Sequence, residues 1–240
     1  MDIAHRTDTL APRLSSGQQE ALKWLAFGSM LAEHTLRVFV DFEFHPGVAV
    51  GRLAFPTFCF LIAYNIAVRG VEPTRYILPL GVTGLLTQPL YVWLWRDSGV
   101  IQLNILFTLL WGVLSIAALK FMLERNWYGV LGGSVAAILL TLPLSLISEY
   151  VLFGPSLLVA FYVFLKVPTR TTLASCVAGA CLVNFNLPPV LMLIAGAAAL
   201  LPVCWGGLGM EQRRVPRLTF YLLYPGHLLL LGVAAALLKP

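Results

Sequence analysis

Long apolar runs separated by short polar joints set the pattern of this chain. A helix needs roughly 20 apolar residues to cross the hydrocarbon core of a bilayer, so each run predicts a spanning helix. About nine such spans can be drawn, with eight to ten allowed: 20–40, 50–69, 75–95, 101–122, 128–146, 149–166, 171–187, 189–206 and 218–238. Within the fifth to eighth, Pro143, Pro155, Pro188 and Pro189 break or join the runs, and a short re-entrant piece has room there. The runs are continuous rather than alternating, which argues against a β-barrel. The expected fold is an all-α, polytopic transmembrane bundle.

The first run departs from the rest. Residues 21–42 are long enough to span, yet Glu33, His34 and Arg37 interrupt the second half. Glu33 and Arg37 are four apart and share a helix face, as do Arg37 and Asp41, while His34 lies three before Arg37. At about 1.5 Å per residue, Glu33 lies roughly 13 Å from the end of the run at Phe42. Ionisable groups at that depth normally face a bundle interior or a wet cavity and mark a functional site. The plainer reading is a buried ion pair that only fixes helix packing.

The basic residues sort by membrane side. One set of span ends holds Arg6, Arg13, Lys23, Arg69, Arg75, Lys120, Arg125, Lys166, Arg170, Arg213, Arg214 and Arg217; the other holds Arg37, Arg52, Arg96 and Lys239. The positive-inside rule makes the first set, and with it the N terminus, cytoplasmic. Residues 1–18 then form a polar cytoplasmic segment and 19–240 a single bundle, since no polar linker divides the chain. A signal peptide is considered and set aside, because the first run is too long for an h-region, carries charges and lacks a small-residue cleavage site.

Other polar residues gather at the opposite, outer face. Glu33, His34, Arg37, Asp41, Glu43 and His45 lie at the outer end of the first span, and Arg52 opens the second. Arg96 and Asp97 end the third, Asn104 opens the fourth, Glu149 and Tyr150 join the fifth and sixth, and Asn184 and Asn186 join the seventh and eighth. A solvated loop face accounts for Glu43, His45, Arg96 and Asp97. It accounts poorly for Glu33, His34 and Asn104, which sit within apolar helix. Trp93, Trp95, Trp127 and Trp205 lie near span ends and read as an interfacial belt.

Composition agrees with the pattern. The chain of 240 residues is 59% hydrophobic and 11% charged, where soluble domains carry about 25% charge; mean hydropathy is +0.84. The net charge of +5 is scattered over span ends, with no nucleic-acid-binding motif. Cys59, Cys176, Cys181 and Cys204 lie in apolar stretches and form no CxxC, so they read as small buried residues. The histidines His5, His34, His45 and His227 are not spaced with carboxylates as a usual zinc set, and no metal is expected. GxGxxG, P-loop, HExxH and GxSxG motifs are absent.

Five stretches carry a resemblance: ALKWLAFGSMLAEHTLR at 21–37, GRLAFPTFCFLIAYN at 51–65, LNILFTLLWG at 103–112, Glu149 with the Gly154-Pro155 turn, and FYLLYPGHLLLL at 220–231. In this order they resemble the TraX family, membrane proteins of conjugative plasmids and bacterial chromosomes known as pilin N-acetyltransferases. Two positions depart from the family pattern: Glu33 stands before His34 where Asp is expected, and Gly226 stands where a bulkier residue is expected. The resemblance implies a protein of the bacterial inner membrane that moves an acetyl group from acetyl-CoA, as co-substrate, to an amine. For the best-known member of that family the amine is the N terminus of a pilin subunit, and the resemblance implies the same acceptor for this chain. The partners are then membrane lipid and a pilin or other membrane-inserted protein, with no nucleic acid.

Acyl transfer to an amine needs a base for the nucleophile and a donor for the developing oxyanion. His34 is the candidate base. Glu33, roughly 100° around the helix from it, pairs with Arg37 or another helix rather than orienting the ring. Arg52 is placed to stabilise negative charge, Asn104 to donate to the thioester oxygen, and Arg37 and Glu149 to hold the substrate, the Glu149 carboxylate by accepting from the substrate's ammonium. Tyr224 and His227 share a face of the last helix beside Pro225. His227 is either a structural histidine bonded to a neighbouring helix or a second catalytic or thioester-contacting one. Acetyl-CoA is cytoplasmic and the candidate chemistry lies in the outer half, so a channel from the inner face is required. Arg69, Arg75 and Arg125 are candidates for the CoA phosphates, or else plain positive-inside anchors. A proton-coupled transporter or flippase, and a non-catalytic pilus assembly partner, are the rival readings; no inverted repeat favours transport.

Overall fold

The computed structural model describes residues 10–40, 50–96, 102–124, 150, 152–185, 187–205, 215–216 and 218–238. Every regular element among them is a helix: α1 (Ser16–Phe39), α2 (Ala54–Ala67), α3 (Thr74–Leu94), α4 (Ile105–Glu124), α5 (Phe153–Lys166), α6 (Arg170–Leu182), α7 (Pro189–Ala198), the single turn α8 (Leu201–Cys204) and α9 (Leu218–Leu238). Three are long and apolar enough to cross a membrane: Thr74–Leu94, Ile105–Leu123 and Leu218–Leu238. The expected span 128–146 lies outside the described residues, as do Glu149 and Arg125.

Local chemistry explains where these helices begin and end. Ser15 and Gln18 form a capping box, each side chain bonding the other's backbone N–H. This starts α1 four residues before the apolar run and draws polar residues into the bundle, so that Gln18, Gln19 and Glu20 are buried. Leu14 is buried too, its N–H donating to the Tyr64 hydroxyl at 2.9 Å. The bundle therefore takes in the end of the segment expected to be polar and separate. After α2, Gly70 adopts φ 66°, a left-handed geometry that glycine allows without a Cβ clash; the chain turns back there and the Val71 N–H reaches the Asn65 carbonyl at 3.0 Å. The expected eighth span breaks at Ala199–Leu200 into α7 and α8, with Pro202 in the short second piece.

The helices α2 and α5 are each 14 residues long, about 21 Å, short of the roughly 30 Å hydrocarbon core. They are also among the most buried. Phe60 in α2 and Leu157, Leu158, Phe161 and Phe164 in α5 are sealed from solvent. Helix contacts run α1 to α2, α2 to α5, α5 to α4, α4 to α3, α3 to α9, and α9 back to α1, closing a ring, while α6 packs on α5 and α7 on α6. Apolar residues of α3 and α9 such as Leu78, Leu86, Leu230 and Leu237 point outward, as a lipid-facing surface requires.

Glycines set the closest approaches, as is usual where helices pack in a membrane. Gly232 of α9 lies against the Trp93 ring of α3, and Gly112 of α4 against Leu158 of α5, where a Cβ would come within 2.9 Å of that side chain. Trp93 is thus an α3–α9 packing residue as well as a span-end tryptophan. Gly226, also on α9, faces open space. We expect Gly232→Val to lower the thermal midpoint of the detergent-solubilised protein, with an overpacking cost of about 1–3 kcal/mol. Gly226→Ala should leave it unchanged or slightly raised, since alanine is the better helix former. Fluorescence-detected size-exclusion melting curves compare the two.

Candidate functional site

Inside the ring lies a cavity of about 930 Å³. Helix α1 lines it along one face, through Ser16, Gln19, Lys23, Phe27, Met30, Glu33 and Arg37, the three- and four-residue steps of a single helical stripe. From Ser16 to Arg37 this stripe covers about 31 Å, close to the thickness of a hydrocarbon core. The opposite walls come from α2, α3, the first turn of α4 and the start of α9. Its middle is apolar and aromatic, with Phe58, Leu61, Leu109 and Phe220 among the lining. Its two ends are charged.

At one end stand Glu33, His34, Arg37 and Arg52. Glu33 is buried and bonds two guanidinium groups, that of Arg37 at 2.8 Å and that of Arg52. Arg52 is 6% exposed. Its Nη1 donates to Asn184 Oδ1 at 2.9 Å, and its Nε has no hydrogen-bond partner. The expected Glu33–Arg37 pair is present, and a second arginine from the turn before α2 joins it. Gly51 makes this possible: a Cβ there would collide with the Glu33 carboxylate. Two guanidiniums against one carboxylate leave an excess positive charge, favourable to a developing oxyanion. Asn184 Nδ2 in turn donates to the Ala180 carbonyl at 3.0 Å. Asn184 showed in the sequence only as one of several polar residues at the outer face; nothing there marked it as the partner of a residue 132 positions away.

His34 sits beside this network and bonds across the ring to α9. Its Nδ1 lies 2.9 Å from His227 Nε2, and the two rings are inclined by 20° with centres 5.1 Å apart. The edge of Trp95 packs against His34 at 5.7 Å between centres. Trp95 lines the cavity and so does more than belt the interface. His227 is buried behind His34, its Nδ1 3.2 Å from the Leu223 carbonyl, with Tyr224 and Phe27 against its ring. Tyr224 lines the cavity whereas His227 does not.

Asn104 is placed differently from its expected role. It is fully buried and is absent from the cavity wall. Its Oδ1 caps α4 by accepting from the Leu106 N–H at 3.0 Å. Its Nδ2 donates to the Gly84 carbonyl and to Gln88 Oε1, both at 2.9 Å. An amide with both protons engaged has none to offer a thioester oxygen. The spacing could not reveal this, because Gln88 and Gly84 lie on another helix.

The other end of the cavity is basic. Lys23, Arg69 and Arg75 line it together with Gln19 and Glu20. Lys23 bonds Glu20 at 2.6 Å, while Glu20 Oε2 is buried without a hydrogen-bond partner. With its amide oxygen turned toward Arg69, Gln19 accepts from Nε and Nη2 at 3.1 and 2.8 Å. Neither Arg69 nor Arg75 meets a carboxylate among the described residues. Arg69 and Arg75, the two described candidates for an anion site, both line the cavity. Among the described residues no group of three or more His, Cys, Asp or Glu side chains is arranged to hold a metal.

Truncating Arg52 should be far costlier than truncating Arg37, whose side chain is 37% exposed. We expect Arg52→Ala to destabilise the protein by about 3–5 kcal/mol, because it leaves a buried carboxylate short of a partner. Arg37→Ala should cost about 0–1 kcal/mol, as for exposed pairs. Thermal or denaturant unfolding of the purified variants measures the difference.

Comparison with known proteins bears on the whole chain. The family model described as TraX protein matches residues 18–235. No curated protein matches the chain, and no solved structure does. The family match takes in all but the first residues of α1 and the last of α9, with the charged residues at both ends of the cavity and the His34–His227 contact, and the chain belongs to the TraX family of membrane proteins.

Proposed function

We propose that this protein is an acetyltransferase of the bacterial inner membrane, with about nine spans and its N terminus in the cytoplasm. In this reading it moves an acetyl group from cytoplasmic acetyl-CoA to an amine on the far side, the N terminus of a pilin subunit. The observation that carries the reading is the cavity. It joins an end where Arg69 and Arg75 meet no carboxylate among the described residues to an end that holds an imidazole beside paired guanidiniums. A CoA thioester suits that arrangement: Arg69 and Arg75 meet its phosphates, the apolar middle takes the pantetheine arm, and the acyl carbon lies near His34. The His34 imidazole accepts the proton of the attacking amine, and the excess positive charge of Arg37 and Arg52 steadies the oxyanion.

The rivals fit less of this geometry. A proton-coupled carrier needs side chains able to gain and lose a proton along the route, and of the relay expected for it, Glu33, His34, Arg37 and Glu149, Glu33 is committed to two arginines. An assembly partner without chemistry requires neither the cavity nor the histidine pair.

The test compares the intact masses of pilin and of other membrane-protein N termini from cells carrying the wild-type protein, the His34→Ala variant or none. The expected outcome is one acetyl group present only with the wild type. An acetyl group retained with His34→Ala would remove that residue as base. Its absence from every strain, with pilin confirmed present, would overturn the reading. In a purified assay, Arg75→Ala should raise KM for acetyl-CoA about tenfold, the scale of one charge-assisted hydrogen bond. The loss should shrink as salt is added.

A further inference from the structure

We propose that His227 is a positioning residue that holds His34 in its Nδ1–H form, so that Nε2 of His34 is the nitrogen that acts at the cavity wall. The argument begins at the far end of the chain of bonds. The Leu223 carbonyl can only accept, so at 3.2 Å it requires the proton of His227 on Nδ1. A neutral imidazole carries one N–H, which leaves His227 Nε2 as an acceptor. That nitrogen lies 2.9 Å from His34 Nδ1, and the bond forms only if His34 carries its proton on Nδ1. The rings are nearly coplanar, at 20°, with centres 5.1 Å apart. Two imidazoles joined edge to edge by one N–H···N bond have this separation, so the contact is an in-plane hydrogen bond rather than a face-to-face stack. Among the described residues, Nε2 of His34 has no hydrogen-bond partner.

This arrangement supplies what the adjacent carboxylate does not. Glu33 is one residue from His34 but bonds Arg37 and Arg52, so the acceptor that orients the base is another imidazole, backed by a main-chain carbonyl. Pro225 and Gly226 sit in the turn of α9 that carries both His227 and Leu223. Pro225 cannot donate to the Tyr221 carbonyl one turn back, yet the helix continues through this point and His227 keeps its bond to Leu223.

The catalytic consequence rests on the acetyltransferase reading; the tautomer does not. In the transfer, the neutral amine attacks the thioester carbonyl, and the N–C bond forms as the proton of the amine passes to His34 Nε2. The C–S bond then breaks, and the proton is returned to the departing thiolate, giving an amide and a free thiol. As His34 becomes an imidazolium, its Nδ1–H bond to His227 Nε2 strengthens and spreads the charge toward Leu223.

The decisive experiment is ¹⁵N NMR of the histidine rings in the full-length protein in nanodiscs, assigned with His34→Gln and His227→Gln. The expected spectrum has Nδ1–H on both His34 and His227 in the wild type. In His227→Ala, His34 should lose that preference, whereas His227→Gln, whose side-chain oxygen can accept in place of Nε2, should keep it. In the transfer assay, His227→Ala should lower kcat by about 10²-fold or more, the contribution of a well-placed base, and leave KM for acetyl-CoA unmoved; His227→Gln should restore most of the rate. An Nε2–H signal from His34 in the wild type, or a tautomer indifferent to His227→Ala, would overturn the proposal. The expected tautomers in a wild type without acetyl transfer would support the positioning and reject the enzymatic reading alone.

Discussion

A carboxylate inside an apolar bundle must be matched, and in this protein Glu33 is matched twice. Its bonds to Arg37 and Arg52 tie α1 to the turn before α2, and Arg52 carries the connection on to Asn184 beyond α6. Three segments far apart in sequence are pinned at one end of the molecule. An ion pair in a low-dielectric interior repays its desolvation only when the remaining donors and acceptors are satisfied. Among the buried side-chain atoms of Glu33, Arg52 and Asn184, only the Arg52 Nε has no hydrogen-bond partner.

The cavity depends on the same helix. Helix α1 is polar in its first turn, apolar and aromatic in its middle and charged again near its end, and a single stripe of it lines the cavity from Ser16 to Arg37. Because the stripe repeats every three or four residues, the changes in polarity along the sequence become changes in polarity along the cavity. Aromatic contacts of Trp24 and Phe27 with Phe220 secure α9 against this helix, and the His34–His227 hydrogen bond joins them. The helix pair therefore shapes both the wall and the environment of the imidazole.

Two asparagines with similar sequence settings show how neighbours divide structural from chemical use. Asn104 and Asn184 both stand at the ends of apolar runs. Asn104 closes a cap and two interhelical bonds within α3 and α4 and is shut away from the cavity. Asn184 spends its oxygen on the arginine that neutralises Glu33. The tryptophans divide in the same way: Trp95 packs on the candidate base, while Trp93 fills the gap beside Gly232.

Hydropathy and charge by themselves determined the all-helical membrane class, the positions of α3, α4 and α9 to within a few residues, and the burial of charge on the first helix. Those follow from the periodicity of apolar residues and from the cost of charge in lipid, both properties of local sequence. The helix spacing also placed Glu33 beside Arg37, since a four-residue step is a contact along one helix. Only the tertiary structure decided the rest: that Arg52 completes the Glu33 pair, that Asn104 is consumed as a cap, and that His227 meets His34 across 193 positions. Such contacts depend on which helices become neighbours in the ring. That is set by the fit of glycines, aromatic rings and short helices against one another, and no spacing along the chain encodes it.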